Sequence, residues 1–289
     1  MRARMFCPSS LVAASLCALV LLQRPPVEQV AVEETTCEEE AGRPVDERLV
    51  GLWQRFDTLD AGDPVRFYFF HPDGFGIYRY GKVGLTNTHS FDYGASQDIL
   101  DLRFRKTDRA HAVRYRIEEA EGRTWLVLAG DPREDLPEVR YFRAPDAAAA
   151  CEGWLLGHDL KARSKAVGAA AGGALGGRLW GEEQRYATGG MGFAIYQLQP
   201  QAIDGRGVGW FHRGDYDEWT TEALTYRQQG GRLTLAFTLR HEAQATAIDV
   251  RAGADGVRRL DLAEDPRDFW RAHSYRDMGP SFAGCDAPR

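Results

Sequence analysis

The chain has 289 residues, 44% hydrophobic and 27% charged, a composition that suits a soluble globular protein of one or two domains. Its 36 Lys and Arg against 42 Asp and Glu leave a formal charge of −6, which repels polyphosphate and sets nucleic acid aside as a partner. Glycines (31) and aromatic residues (7 Trp, 11 Tyr, 14 Phe) are abundant, and long helical periods are few.

Residues 1–26 read as an export signal. Arg2 and Arg4 precede an apolar run from Leu11 to Leu22 that ends at Gln23-Arg24-Pro25-Pro26. That run is shorter than the roughly 20 residues a membrane-spanning helix needs, and no other segment is a candidate span. Cys17 follows Leu16 where a lipid-attachment site carries a small residue, so periplasmic or secreted export is preferred to a lipid anchor. Residues 27–48 are acidic and without apolar period, the pattern of a tether. Three cysteines remain beyond the leader, Cys37, Cys151 and Cys285, which allow three pairings in an oxidising compartment. The expected disulfide is Cys37–Cys151, because these two bracket the next segment.

From residue 49 the chain alternates as antiparallel strands do. Val65, Phe67 and Phe69 share one face, and His71-Pro72-Asp73-Gly74 supplies a turn before Phe75–Tyr80 returns. Leu100, Leu102 and Phe104 oppose Asp101, Arg103 and Arg105, and Val113, Tyr115 and Ile117 oppose Arg114 and Arg116. Period-2 alternation with charged outer positions predicts strands with one face buried. Residues 146–177 then hold the expected helix (147–167) and a Gly/Ala-rich linker, Gly168–Gly177.

Residues 178–280 repeat residues 49–145. Phe91, Tyr93, Leu100, Leu102 and Phe104 match Leu224, Tyr226, Leu233, Leu235 and Phe237, each 133 residues on; Tyr115 matches Ile248. Asp131-Pro132-Arg133 returns as Asp265-Pro266-Arg267, and Asp73-Gly74-Phe75-Gly76 as Asp204-Gly205-Arg206-Gly207. The expected fold is therefore all-β: two tandem antiparallel up-and-down barrels, each independent, joined by a helix and a Gly/Ala linker.

The order Gly-x-Trp, aromatic strand, Asp-Gly-x-Gly, Leu-x-Leu strand and late aromatic-Arg resembles the lipocalin-like (calycin) small β-barrels. The resemblance spans about 95 residues in each half. It implies that the early Trp lies under an Arg of the last strand, which places Trp53 with Arg143 and Trp180 with Arg276. Arg178 stands where the second Gly-x-Trp would have its glycine.

No nucleophile, P-loop, dinucleotide or zinc motif is present. No catalytic, cofactor or metal-ligating residue is assigned, although His212, Asp215 and Asp217 are the nearest to a metal set, with His71 and Asp73 a weaker echo. The expected function is an exported protein that binds a small apolar ligand at a barrel mouth or inter-domain cleft. Phe67, Phe69, Leu102, Phe104, Tyr115, Leu233, Leu235, Phe237 and Ile248 are its candidate lining. The alternative is a structural or protein-interaction module of the cell envelope without catalytic activity. An enzyme is a third class that nothing in the sequence singles out.

Overall fold

The structure, a computed structural model, describes residues 44–58, 60–145, 175–187, 189–201, 205–239, 242–268 and 271–281. The expected leader, the helix at 147–167, and Cys37, Cys151 and Cys285 with their disulfide lie outside the described residues. What is described is all-β, apart from one 3₁₀ turn at Glu47–Leu49.

Eight strands close an antiparallel barrel: β1 (Gly51–Gln54), β2 (Pro64–Phe70), β3 (Phe75–Lys82), β4 (Leu85–Ser96), β5 (Ile99–Phe104), β6 (Arg109–Ala120), β7 (Arg123–Ala129) and β8 (Glu138–Arg143). Each pairs with the next, and β8 returns to β1 through Trp53↔Arg143 and Gln54↔Phe142. The later strands are β9 (Arg178–Arg185), β10 (Met191–Leu198), β11 (Arg206–Asp215), β12 (Glu218–Gln229), β13 (Arg232–Phe237), β14 (Gln244–Ala252), β15 (Arg258–Asp265) and β16 (Arg271–Pro280). They pair in the same succession, and β16 returns to β9 to complete a second ring.

The Asp-Gly-x-Gly repeat has a steric explanation. Gly74 and Gly205 sit in the left-handed region at φ +82° and +76°, which glycine adopts without penalty. The second glycine of each motif makes room instead. A Cβ on Gly76 would collide with the Phe91 ring and one on Gly207 with the Tyr226 ring, each its register partner on the next strand.

Contrary to expectation, the two rings are not independent. β5 and β13 are short, so the first halves of β4 and β12 have an unoccupied edge, and these edges pair with each other over five residues. The register is Glu218↔His89, Trp219↔Thr88, Thr220↔Asn87, Thr221↔Thr86 and Glu222↔Leu85. Asn87 and Thr220 are 133 residues apart, so equivalent positions face one another about a local two-fold. Such self-complementary contact is the geometry of an isologous dimer, here within one chain. An unsatisfied sheet edge is thereby removed from both halves.

The seam also corrects the expected facing of β2. Tyr68 and Phe70 enter the first barrel's interior with Trp53, Tyr78, Phe91, Leu100, Leu102, Phe104 and Tyr141. Phe67 and Phe69, expected inside, lie on the outer face with Leu52, Val65 and Ile77, buried against Leu179, Phe193, Ile195, Trp219 and Met278 of the second ring. Alternation misleads here because the neighbouring ring buries the outer face too, so apolar residues occupy both faces of β2.

Truncating Phe69 to Ala should open a void in this seam and lower stability by roughly 3–5 kcal/mol, a typical cost for a buried aromatic. Urea unfolding of the full chain, followed by tryptophan fluorescence, measures the shift.

Candidate functional site

Corresponding ends of the two rings of strands are built on the same plan. At one end the 3₁₀ turn tucks Leu49 inside, and the Trp53 indole donates its Nε1–H to the Leu49 carbonyl at 2.7 Å. Arg143 lies over the Trp53 ring at 5.4 Å and donates to the carbonyls of Arg48 and Val50. Gly51, at φ +126°, leaves space for that guanidinium. In the second ring Trp180 donates to the Leu175 carbonyl at 2.9 Å. The guanidinium seen over Trp180 at 5.4 Å is that of Arg258. Arg276, the residue expected there, pairs with Gly181 and Arg259 in the sheet.

The charge pattern at this end differs between halves for a readable reason. The register partner of Trp180 is Asp277, where Trp53 has Arg143. Arg178, in the glycine position, bonds the buried Asp277 at 2.7 Å, and Arg258 approaches the same carboxylate at 3.5 Å. A buried carboxylate with two guanidinium partners avoids the penalty of an unpaired interior charge.

The opposite end is closed by the repeated Asp-Pro-Arg loop. Asp131 is buried, accepts the Tyr68 hydroxyl at 2.8 Å and the Tyr141 hydroxyl at 2.6 Å, and caps its own turn through the Arg133 N–H. Asp265 does the same with Tyr196 at 2.8 Å, with Tyr275, and with the Arg267 N–H. Burial first, and then the adjacent carboxylate, raises the pKa of all four tyrosines well above its usual value, so they remain neutral donors. The arginine of each loop then turns into the barrel. Arg133 lies 3.9 Å from the Phe104 ring centre and 5.5 Å from that of Tyr78. Arg267 lies 4.9 Å from Phe237 and 5.4 Å from Phe211, the matching residues.

The remaining expected lining residues sit between these plugs. Leu102, Phe104 and Tyr115 belong to the first interior and Leu233, Leu235 and Phe237 to the second, with Ile248 packed against the latter. All are in contact with other interior side chains, and Tyr115 donates to Asp46 at 2.7 Å. The role of the Asp-Pro-Arg loop was hidden in the sequence, where Asp-Pro reads as ordinary turn chemistry. Its recurrence together with a recurring Tyr ten residues later was the available signal.

Two polar positions mark the seam. Arg79 donates to Thr88 at 2.9 Å, and the matching His212 bonds Thr221 at 2.9 Å and Gln197 at 3.1 Å. All five are buried. Burial, and secondarily the Arg79 charge, lowers the His212 pKa to about 3. Asp215 accepts the backbone N–H groups of Asp217 and Glu218 and binds Lys106. His71 stacks on Phe75 and lies 3.4 Å from Asp73. Among the described residues no three His, Cys, Asp or Glu side chains converge as a metal set. A recess of about 260 Å³ lies beside the seam, lined by Phe193, Ile195 and Met278 with Tyr216, Arg259 and Arg276 at its margin.

Tyr141→Phe should leave one oxygen of the buried Asp131 without its donor and cost about 1–3 kcal/mol, read from the denaturant midpoint. Tyr275→Phe should cost about the same. The seam histidine predicts an acid-labile fold. An unfolded His212 titrates near 6.5 and the folded one near 3, so the unfolded chain binds more protons between those values. Stability is then complete above about pH 6.5 and declines as pH falls toward 3, and His212→Gln should flatten that decline in thermal melts taken across the window.

Comparison with protein-family models, curated proteins and solved structures finds no match to this chain.

Proposed function

We propose that the chain is an exported, duplicated lipocalin-like protein, two closed barrels in tandem, that serves as a rigid binding or scaffolding module of the cell envelope and meets its partners on its outer surface. The observation that carries this reading is the filling of both interiors. Each is occupied by its own aromatic and aliphatic side chains, with a leucine at one end and an arginine over aromatic rings at the other. Carriage of an apolar molecule inside a barrel needs a hollow interior, and small barrels are commonly filled by their own side chains. The basic, apolar leader supports export, and the acidic balance supports solubility outside the cytoplasm.

A second reading keeps the small apolar ligand but places it outside the barrels. The recess is lined by residues of the second ring, of which Phe193, Ile195 and Met278 also belong to the seam cluster and give it an apolar floor.

Titration of the full chain with N-phenylnaphthylamine separates these outcomes. The scaffolding reading expects no saturable fluorescence gain. Saturation that Ile195→Arg abolishes would establish the external apolar site. Saturation that survives Ile195→Arg but is lost on Leu102→Trp would overturn both, because the ligand would then be inside.

A further inference from the structure

The two mouth arginines have different electrical surroundings. Arg267 has a counter-ion: its Nη2 lies 2.6 Å from Oε2 of Glu222, an inward-facing carboxylate that is itself buried. The residue that matches Glu222, 133 positions earlier, is His89. The register confirms the equivalence, since His89 pairs with Tyr78 on β3 as Glu222 pairs with Phe211 on β11. Those same two rings, Tyr78 and Phe211, lie under Arg133 and Arg267.

Arg133 therefore occupies the same place without the same partner. The nearby carboxylates are committed elsewhere. Glu134 binds Arg55 at 2.6 Å and Arg66 at 3.2 Å, and Asp131 holds two tyrosine hydroxyls. Among the described residues no carboxylate forms a salt bridge with the Arg133 guanidinium; the Nε of Arg133 and that of Arg267 are alike buried without an acceptor, so the difference between the two lies in the counter-ion alone. The contacts of Arg133 are the faces of Phe104 and Tyr78. His89 offers no charge in exchange, because burial, and then Arg133 itself, hold its pKa at about 4. The ring of His89 turns aside to stack on Tyr80 at 5.4 Å.

We propose that the mouth of the first barrel is a binding site for a small organic carboxylate, held by Arg133 in the position that Glu222 fills in the second ring. A carboxylate is the fitting chemistry because the second ring shows that group seated on the equivalent guanidinium. An aromatic or apolar body is the fitting attachment because the cation lies over the faces of Phe104 and Tyr78, rings that in turn meet His111 and Tyr80. Partial burial of the arginine strengthens the ion pair relative to the same contact in open solvent.

The test uses benzoate as the carboxylate probe and benzyl alcohol as its uncharged counterpart, titrated into the full chain. Binding is read by NMR of the Arg133 Nε–H and His89 ring signals and by the thermal midpoint. The wild type should bind one benzoate saturably at millimolar concentration, with a rise in midpoint that benzyl alcohol does not produce. His89→Glu installs the second ring's own counter-ion. It should remain folded, melt higher than the wild type without ligand, and lose benzoate binding roughly tenfold or more. Arg133→Gln should lose binding to a similar extent. Equal benzoate binding by wild type and His89→Glu, equal response to benzyl alcohol, or no change in either marked signal would overturn the proposal.

Discussion

The pairing of β4 with β12 is the contact on which the rest of the molecule depends. It is short, five residues on each side, but it brings the outer faces of two rings of strands together. Once those faces meet, Phe67, Phe69, Phe193 and Trp219 are buried. Fully burying each such side chain contributes on the order of 1.5–3 kcal/mol. Backbone pairing sets the register, and the apolar faces supply most of the free energy. The two requirements converge on the same strands, which is why β2 and β3 carry large apolar residues on both sides.

The same contact fixes where charge can sit. Equivalent residues approach each other near the local two-fold, so Arg79 and His212 share one buried environment. Two cations there would each be deprived of water and repelled by the other. A neutral imidazole satisfied by Thr221 and Gln197 resolves the conflict, while Arg79 keeps its bond to Thr88 and lies over the Phe67 ring at 5.2 Å. Hydrogen bonds to Thr88, Thr221 and Gln197 thus hold these two polar groups at the seam.

Much of this was legible in the chain. The strands, the turn glycines and the constant offset between halves follow from period-2 alternation, and Arg143 over Trp53 follows from the family resemblance. What was not legible has physical causes. Alternation tells which residues share a face but not which face is inside, and on β2 the seam removes the polar contrast that normally decides. The Trp180 partner was misplaced because Arg178 replaces a glycine and recruits Asp277, which brings Arg258 over the ring. The mouth arginines escaped notice because their meaning lies in a comparison across the sheet, Glu222 against His89, and not in any local motif.

The local two-fold has a consequence for how freely each half can change. In a dimer of identical subunits any substitution occurs twice, so a residue beside the axis must tolerate its own copy. Two copies of the first half, joined in this manner, would set Arg79 against Arg79, two buried cations at one junction. A single chain is exempt from that rule, because the partner of Arg79 is encoded separately as His212. Covalent connection thus converts a symmetric junction into a heterotypic one, in which the two halves are no longer interchangeable.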